Sequence, residues 1–133
     1  MKTKAVLSQT EVSQILAAAR TEAQTHQWAV TIAVVDDGGH PLALERLDGC
    51  AAISAYIATE KARTSALGRR ESKGYEDMVN GGRSAFLSAP LLTSLEGGVP
   101  IIVDGQVIGA VGVSGVKAEQ DAQVARAGAQ CLN

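Results

Sequence analysis

Lys61 is the polar residue whose position in the sequence most strongly suggests a chemical role. Ile53, Ile57 and Lys61 follow one another at four-residue spacing, so a helix would place the lysine near its apolar stripe. Such a lysine either extends to the rim of the core or points into a cavity that requires a cation. Inside a cavity its ammonium group would bind a carboxylate or phosphate, or act as a general base.

Glycine-containing segments are candidates for backbone contacts to the same anion. Gly97-Gly98 allow positive φ angles and would let N–H groups face a ligand, or they form a bulged turn. Ser114-Gly115 precede a predicted helix whose free N–H groups attract anions, although a helix cap is the favoured interpretation of Ser114. Gly109 and Gly112 indicate that a helix, a ligand or another subunit approaches the last strand closely, with helix packing as the default.

The histidines and cysteines indicate no dedicated zinc or nucleophilic site. His26 and His40 have neither HxxxH nor HExxH spacing, and the chain contains no GxSxG motif. A solvated turn explains the polar cluster around the first hairpin better than a metal site does (Asp36, Asp37, His40, Glu45 and Asp48). Cys50 follows a glycine near a helix N-terminus, where a thiol can be activated, yet Cys50 and Cys131 lack CxxC spacing. We expect two reduced thiols, with a disulfide between them as the alternative.

Composition favours an ordinary globular protein. The chain has 133 residues and 46% hydrophobic residues, so we expect one domain over residues 1–133. Aromatic residues make up only 3%, and the core must therefore consist of alanine, valine, isoleucine and leucine. The net charge of −2 comes without a basic patch, which excludes typical nucleic-acid binders. No signal-peptide h-region or membrane-length apolar run is present, and we expect a cytoplasmic location.

Periodicity and turn signals predict the order helix, hairpin, helix, irregular segment, hairpin, helix. The predicted helices are 8–26, 52–67, a short one near 75–79, and 117–132; the predicted strands are 28–35, 41–47, 101–103 and 106–113. Turns at 36–39 and 104–105 force antiparallel pairing. The pattern predicts an α+β fold with helices on an antiparallel sheet of about five strands, if part of Leu91–Leu95 joins as an extra strand.

The ends of the predicted helices have recognisable signals. Ser8 and Glu11 have the spacing of a capping box, which would begin the first helix. Gly68 is predicted to end the second helix as its C′ residue. Pro90 excludes a long helix in the irregular segment.

Several stretches together resemble the GlcG/HbpS family, which also includes the C-terminal domains of PduO-type proteins. The resemblance covers nearly the whole chain, in the family's order and spacing. It rests on VTIAVVD at 30–36 with GGH at 38–40, ERLDG at 45–49, KARTSA at 61–66, GGVPI at 97–101, IGAVGVSG at 108–115, and QD at 120–121.

The resemblance implies a profilin-like or PAS-like sheet with flanking helices, and dimers that build larger assemblies. Some relatives bind haem, so haem or another tetrapyrrole is a candidate ligand, although residues able to ligate iron are few and scattered in this chain. The matching positions Lys61, Gly97, Gly98 and Ser114 suit a compact anion. Haem propionates could also use Lys61 and Arg46.

Three functions follow as hypotheses. The first is a small-ligand-binding protein, with haem as a candidate ligand. The second is an enzyme or accessory protein acting on a small carboxylate held by Lys61 and the Gly97-Gly98 backbone. The third is a homo-oligomeric assembly module without a ligand. We favour ligand binding over catalysis.

Overall fold

A computed structural model describes residues 1–133 as helices surrounding one sheet. The helices are α1 (Gln9–Thr25), α2 (Ile53–Gly68), α3 (Lys73–Asn80) and α4 (Ala118–Ala129), and a short 3-10 helix covers Ser84–Ser88. The strands are β1 (Thr31–Asp36), β2 (Pro41–Arg46), β3 (Gly98–Val103) and β4 (Gln106–Ser114). None of the helices combines the length and the apolar character needed to cross a bilayer.

The sheet has the strand order β2-β1-β4-β3, and every neighbouring pair is antiparallel. This confirms the predicted α+β fold, but the sheet has four strands and not about five. The segment Leu91–Leu95 adds no strand because side chains bind its backbone groups. The Thr93 N–H donates to the hydroxyl of Thr64 at 2.8 Å, and the Leu95 carbonyl accepts from the hydroxyl of Ser72 at 2.5 Å.

The two faces of the sheet carry different side chains because neighbouring residues of a strand point to opposite sides. Ile32 and Val34 of β1 belong to the larger core, which α1 and α4 complete. Ala33 and Val35 belong to a smaller cluster on the other face, where the alanines of α2 pack. The sheet is therefore covered on both faces, by large aliphatic side chains on one and mainly by small ones on the other.

Glycines on the α2 face allow this helix to lie directly on the sheet. A methyl group on Gly112 would overlap the carbonyl oxygen of Ala58, and one on Gly98 would overlap the carbonyl oxygen of Lys61. Both overlaps involve backbone atoms, which cannot move without shifting the helix. At Gly112 the close neighbour is a helix, as expected by default, whereas a Cβ on Gly109 would meet the carbonyl oxygen of Val35 and the side chain of Leu7.

Two helix ends differ in detail from the sequence-based expectations. The Ser8 hydroxyl donates to the carboxylate of Glu11 and caps no backbone N–H group, so the predicted capping box is not formed. Gly68 is the last residue of α2, and Arg69 adopts the left-handed conformation with φ 55°. A side chain at Gly68 would overlap the hydroxyl of Tyr75, which explains the small residue there.

Candidate functional site

Lys61 is buried beside the two glycines that the sequence singled out. Its side chain is 5% exposed, and Nζ donates to the Val113 carbonyl and to the Asp121 carboxylate, both at 3.0 Å. A Cβ atom on Gly97 would lie 2.8 Å from Nζ. The side chain of Lys61 therefore points inward, which is one of the two alternatives that the sequence left open. The absence of a Cβ atom at Gly97 leaves room for its ammonium group.

Asp121 balances the charge of Lys61 from within the chain. Its side chain is 3% exposed, and Oδ1 also accepts the Val116 N–H at 3.1 Å. Burial raises the pKa of the Asp121 carboxyl, while the Lys61 ammonium and the Val116 N–H oppose that shift. The pair connects α2 to β4 and to the start of α4, and Lys61 lines none of the five main cavities.

Ser114 lies next to the carbonyl that Lys61 binds, but it does not cap α4. The N-cap residue of α4 is Lys117, and side chains of the helix bind the N–H groups just before it: Asp121 accepts from Val116, and Gln120 accepts from Lys117 at 3.3 Å. The favoured cap interpretation of Ser114 is therefore wrong, because the helix begins three residues later. Ser114 is 7% exposed, and its hydroxyl makes no hydrogen bond within the chain.

Arg46 lies apart from this group. It pairs with Thr31 across the sheet, and Thr31 pairs with Ser114, so one strand separates the arginine from the serine. Arg46 is exposed without a carboxylate partner. It lines an open cleft of about 400 Å³ with Gln24, Gln27, Trp28, Ala29, Glu45, Leu47 and Asp48. The structure thus brings together Lys61, Gly97, Gly98 and Ser114, but not Arg46.

The opposite end of the sheet, which we call the arm end, is formed by residues 1–8 and the turns at 37–40 and 104–105. Lys4 forms an ion pair with Asp37 and thereby ties the N-terminal segment to the first turn. Leu7 also packs there: its Cδ1 lies 2.9 Å from the position of a Cβ on Gly109, which pairs with Asp36. The N-terminal segment is therefore part of the folded structure.

Two cavities open at the arm end and share Ala5. The first, of about 320 Å³, is lined mainly by apolar side chains: Ala5, Val6, Leu7, Glu11, Val103, Ile108 and Leu132. The second, of about 660 Å³, is polar and carries two lysines among Met1, Lys2, Thr3, Lys4, Ala5, Asp104 and Gln106. An apolar cavity that adjoins a polar one bearing lysines suits a ligand with an apolar body and polar substituents.

His40 follows the first turn at this same end. Its side chain is 77% exposed, and Nδ1 lies 3.1 Å from Oδ1 of Asp36. The same carboxylate oxygen accepts the N–H groups of Gly38 and His40, both at 2.9 Å. Nε2 has no hydrogen-bond partner. The turn that the sequence indicated as merely solvated is therefore organised around Asp36 and presents an imidazole.

Of the other potential metal ligands, His26 and Cys50 make contacts of their own within the chain. His26 stacks on Trp28 with ring centroids 4.3 Å apart, and its Nε2 lies 3.3 Å from the Gln123 amide. Cys50 and Cys131 are both free, so the alternative of a disulfide is wrong. The Cys50 thiol donates to the Leu47 carbonyl at 3.3 Å. No three acidic, histidine or cysteine side chains converge to hold a metal ion.

Comparison with known proteins identifies close relatives. The model of the HbpS-like family, described as haem degrading protein HbpS-like, matches residues 7–130. Protein GlcG of Escherichia coli K12 is 70% identical over 114 residues, which make up 86% of this chain and 85% of that protein.

Two solved structures have the same fold over nearly their full length. A double mutant of Streptomyces reticuli HbpS superposes with a TM-score of 0.90 at 27% identity, covering 100% of this chain and 91% of the other. The structure of the PduOC:heme complex superposes with a TM-score of 0.86 at 28% identity, covering 97% of this chain and 96% of the other.

Proposed function

The chain belongs to the HbpS-like family, and from that premise we propose that it binds haem or a closely related tetrapyrrole at the arm end of the sheet. The relative PduOC, whose structure was solved as a complex with haem, supports haem as the class of ligand. The observation that carries the proposal within this chain is the pair of adjoining cavities, one apolar and one bearing lysines. Haem has the matching division into an apolar macrocycle and two carboxylates.

The residues at the arm end fit the macrocycle and a propionate of haem. Val6, Leu7 and Ile108 offer apolar contacts for the macrocycle. Lys2 offers a cation for a propionate, and Lys4 would have to leave Asp37 to do the same. Bound haem would supply a redox-active iron whose potential the protein sets through its ligand and surroundings.

Titration of the apoprotein with hemin tests this proposal. We expect a shifted and sharpened Soret band that saturates as the hemin concentration approaches the protein concentration. Val6→Asp should weaken binding about 10-fold, because it places a charge against the apolar macrocycle. Val6 is 87% exposed, so the substitution leaves the core intact.

Leu87→Asp is the matched control. Leu87 is also exposed (67%), but it belongs to the short 3-10 helix and lines neither arm-end cavity. It should bind hemin as the wild type does. A wild-type spectrum identical to that of free hemin would overturn the proposal, and so would equal binding by the Val6 and Leu87 variants.

We propose further that the protein is a cytoplasmic homo-oligomer. Leu42 and Leu44 are 42% and 49% exposed on the edge strand β2, and Ile53 and Tyr56 are 64% and 77% exposed on α2. Large apolar side chains at a sheet edge favour association with a second copy of the chain. Such association would cover β2, whose outer backbone groups are unpaired within one chain.

Binding of a small carboxylate beside Lys61 is a second candidate function. The hydroxyl of Ser114 supports it, because it lies beside the carbonyl that Lys61 binds, makes no hydrogen bond within the chain and remains accessible to a ligand. Differential scanning fluorimetry with small organic acids should then show a rise in Tm that Ser114→Ala removes. Ser88→Ala, at an exposed hydroxyl, is the control that should keep the rise. A rise retained by Ser114→Ala, or absent from the wild type, contradicts this candidate.

A further inference from the structure

The open cleft that Arg46 lines lies between the end of α1 and the end of β2. It has a volume of about 400 Å³ and shares no residue with either arm-end cavity. The Leu47 N–H donates to the Val30 carbonyl at 2.9 Å, which fixes the end of β2 as one wall. We propose that this cleft binds a small aliphatic amino acid, through its carboxylate and its protonated amino group together.

Two opposite charges line the cleft without forming an ion pair. Arg46 and Asp48 are both exposed, and neither pairs with the other or with any other charged side chain. Glu45 also lines the cleft, but Arg20 binds its carboxylate in a bidentate manner, at 2.5 and 2.7 Å. The cleft therefore offers one free cation and one free anion, which are complementary to a ligand that carries both charges.

Gln27 lines the same cleft in a backbone conformation that favours glycine. Its φ angle is 58°, and it follows α1 at the position where a helix that ends in this way usually has glycine. The N–H groups of Gln27 and Trp28 donate to the carbonyls of Gln24 and Ala23, at 3.1 and 2.9 Å, as this helix ending requires. A glutamine here is strained, and a carboxamide that binds a ligand in the cleft accounts for that cost.

Apolar side chains complete the lining and favour a ligand with an aliphatic side chain. Trp28, Ala29 and Leu47 are the hydrophobic residues of the cleft. Trp28 is half-buried, and its ring stacks on that of His26 with centroids 4.3 Å apart. Trp28 is also the only tryptophan of the chain, so the intrinsic fluorescence of the protein reports on this cleft.

Fluorescence titration with L-leucine tests the proposal. Two compounds of matching shape each lack one charge: 4-methylpentanoate has no amino group, and 3-methylbutylamine has no carboxylate. We expect a saturable change with leucine, and an affinity about 5- to 10-fold lower for each of the other two, the cost of one charged hydrogen bond. If either compound binds as tightly as leucine, the cleft does not recognise both charges and the proposal is wrong.

Substitution of the two charged residues tests the location. Arg46→Gln should weaken leucine binding by about the same factor but leave the binding of 3-methylbutylamine unchanged, because that compound has no carboxylate to lose. Asp48→Asn should weaken leucine binding and leave that of 4-methylpentanoate unchanged. Arg83→Gln is the matched control, since Arg83 is also exposed without a carboxylate partner but lines a different cavity. Leucine affinity that survives both Arg46→Gln and Asp48→Asn would overturn the assignment.

Gln27→Gly separates the binding role of this residue from a structural one. Glycine relieves the left-handed backbone, so Tm should rise by a few degrees. Leucine affinity should nevertheless fall, because the carboxamide is lost. A more stable variant with unchanged leucine affinity would remove Gln27 from the site.

Saturation-transfer NMR detects leucine that binds without changing the fluorescence. Leucine that gives no signal in either measurement overturns the whole inference. The haem proposal is independent of that result, because the cleft and the arm-end cavities have no residue in common.

Discussion

Gly112→Ala is expected to destabilise the protein by more than about 3 kcal/mol, because a methyl group at this position would overlap the backbone of α2. The overlapped atom is the carbonyl oxygen of Ala58, and the Ala62 nitrogen is also too close. The helix must move off the sheet to relieve the overlap, which opens the cluster of alanines beneath it. Urea unfolding followed by circular dichroism measures the loss.

Gly74→Ala is the control for this substitution. Gly74 lies in α3, and a Cβ there would meet only the flexible end of Arg70, at 3.3 Å. Replacing a helical glycine by alanine stabilises by about 0.5–1 kcal/mol. A Gly112→Ala protein within about 1 kcal/mol of the wild type would show that α2 does not pack on the sheet as described.

Lys61→Met is expected to cost about 3–5 kcal/mol at pH 7, because it leaves the Asp121 carboxylate buried without its cation. Asp121 is 3% exposed, and only the Val116 N–H would remain as its partner. Lys73→Met removes an exposed ion pair with Asp77 and should leave stability unchanged. Chemical unfolding of both variants, compared with the wild type, tests the difference.

The cost of Lys61→Met should depend on pH. Burial already raises the pKa of Asp121 above its ordinary value of 3.8, and removal of Lys61 takes away an opposing interaction. The folded state then binds a proton more tightly than the unfolded state, so stability rises as the pH falls toward about 4. The deficit should therefore be smaller at pH 5 than at pH 7.

A double variant separates the charge from the packing. Asp121→Asn combined with Lys61→Met removes both charges and keeps an amide oxygen for the Val116 N–H. It should recover most of the stability lost by Lys61→Met alone. If Lys61→Met is as stable as the wild type at pH 7, the pair has no structural role.

Much of the fold could be predicted because its signals are local. Turn residues at 36–39 and 104–105 fix the two hairpins, and apolar spacing identifies α1. The segment 84–95 gave no reliable signal, since its backbone binds Thr64 and Ser72 rather than a neighbouring strand. The expectation of a fifth strand was therefore wrong, because side chains distant in the sequence bind the backbone groups that a strand would need.

The candidate site was harder to predict because its residues are distant in the sequence and come together only in the folded chain. The helical spacing placed Lys61 correctly near an apolar stripe, but not its partner Asp121, which is 60 residues away in the sequence. The arm end was missed for the same reason. The pairing of Lys4 with Asp37 and the packing of Leu7 against Gly109 have no local pattern. The apolar pair Val6-Leu7 before α1 was the one signal available.

The buried Lys61–Asp121 pair and the turn organised by Asp36 thus have separate roles. Lys61 and Asp121 hold α2 and α4 to the end of β4, where the glycines allow close packing. Asp36 orders the first hairpin turn, which the pairing of Asp37 with Lys4 ties to the N-terminal segment. The stretches that resemble the family include both groups.

Native mass spectrometry of the hemin-incubated protein tests the central claim most directly, since one spectrum reports both the bound mass and the number of copies. The account predicts an oligomer that retains haem, with Val6→Asp giving the same oligomer with less haem bound and Leu87→Asp matching the wild type. A spectrum that contains only the unliganded mass of the wild-type protein would contradict it.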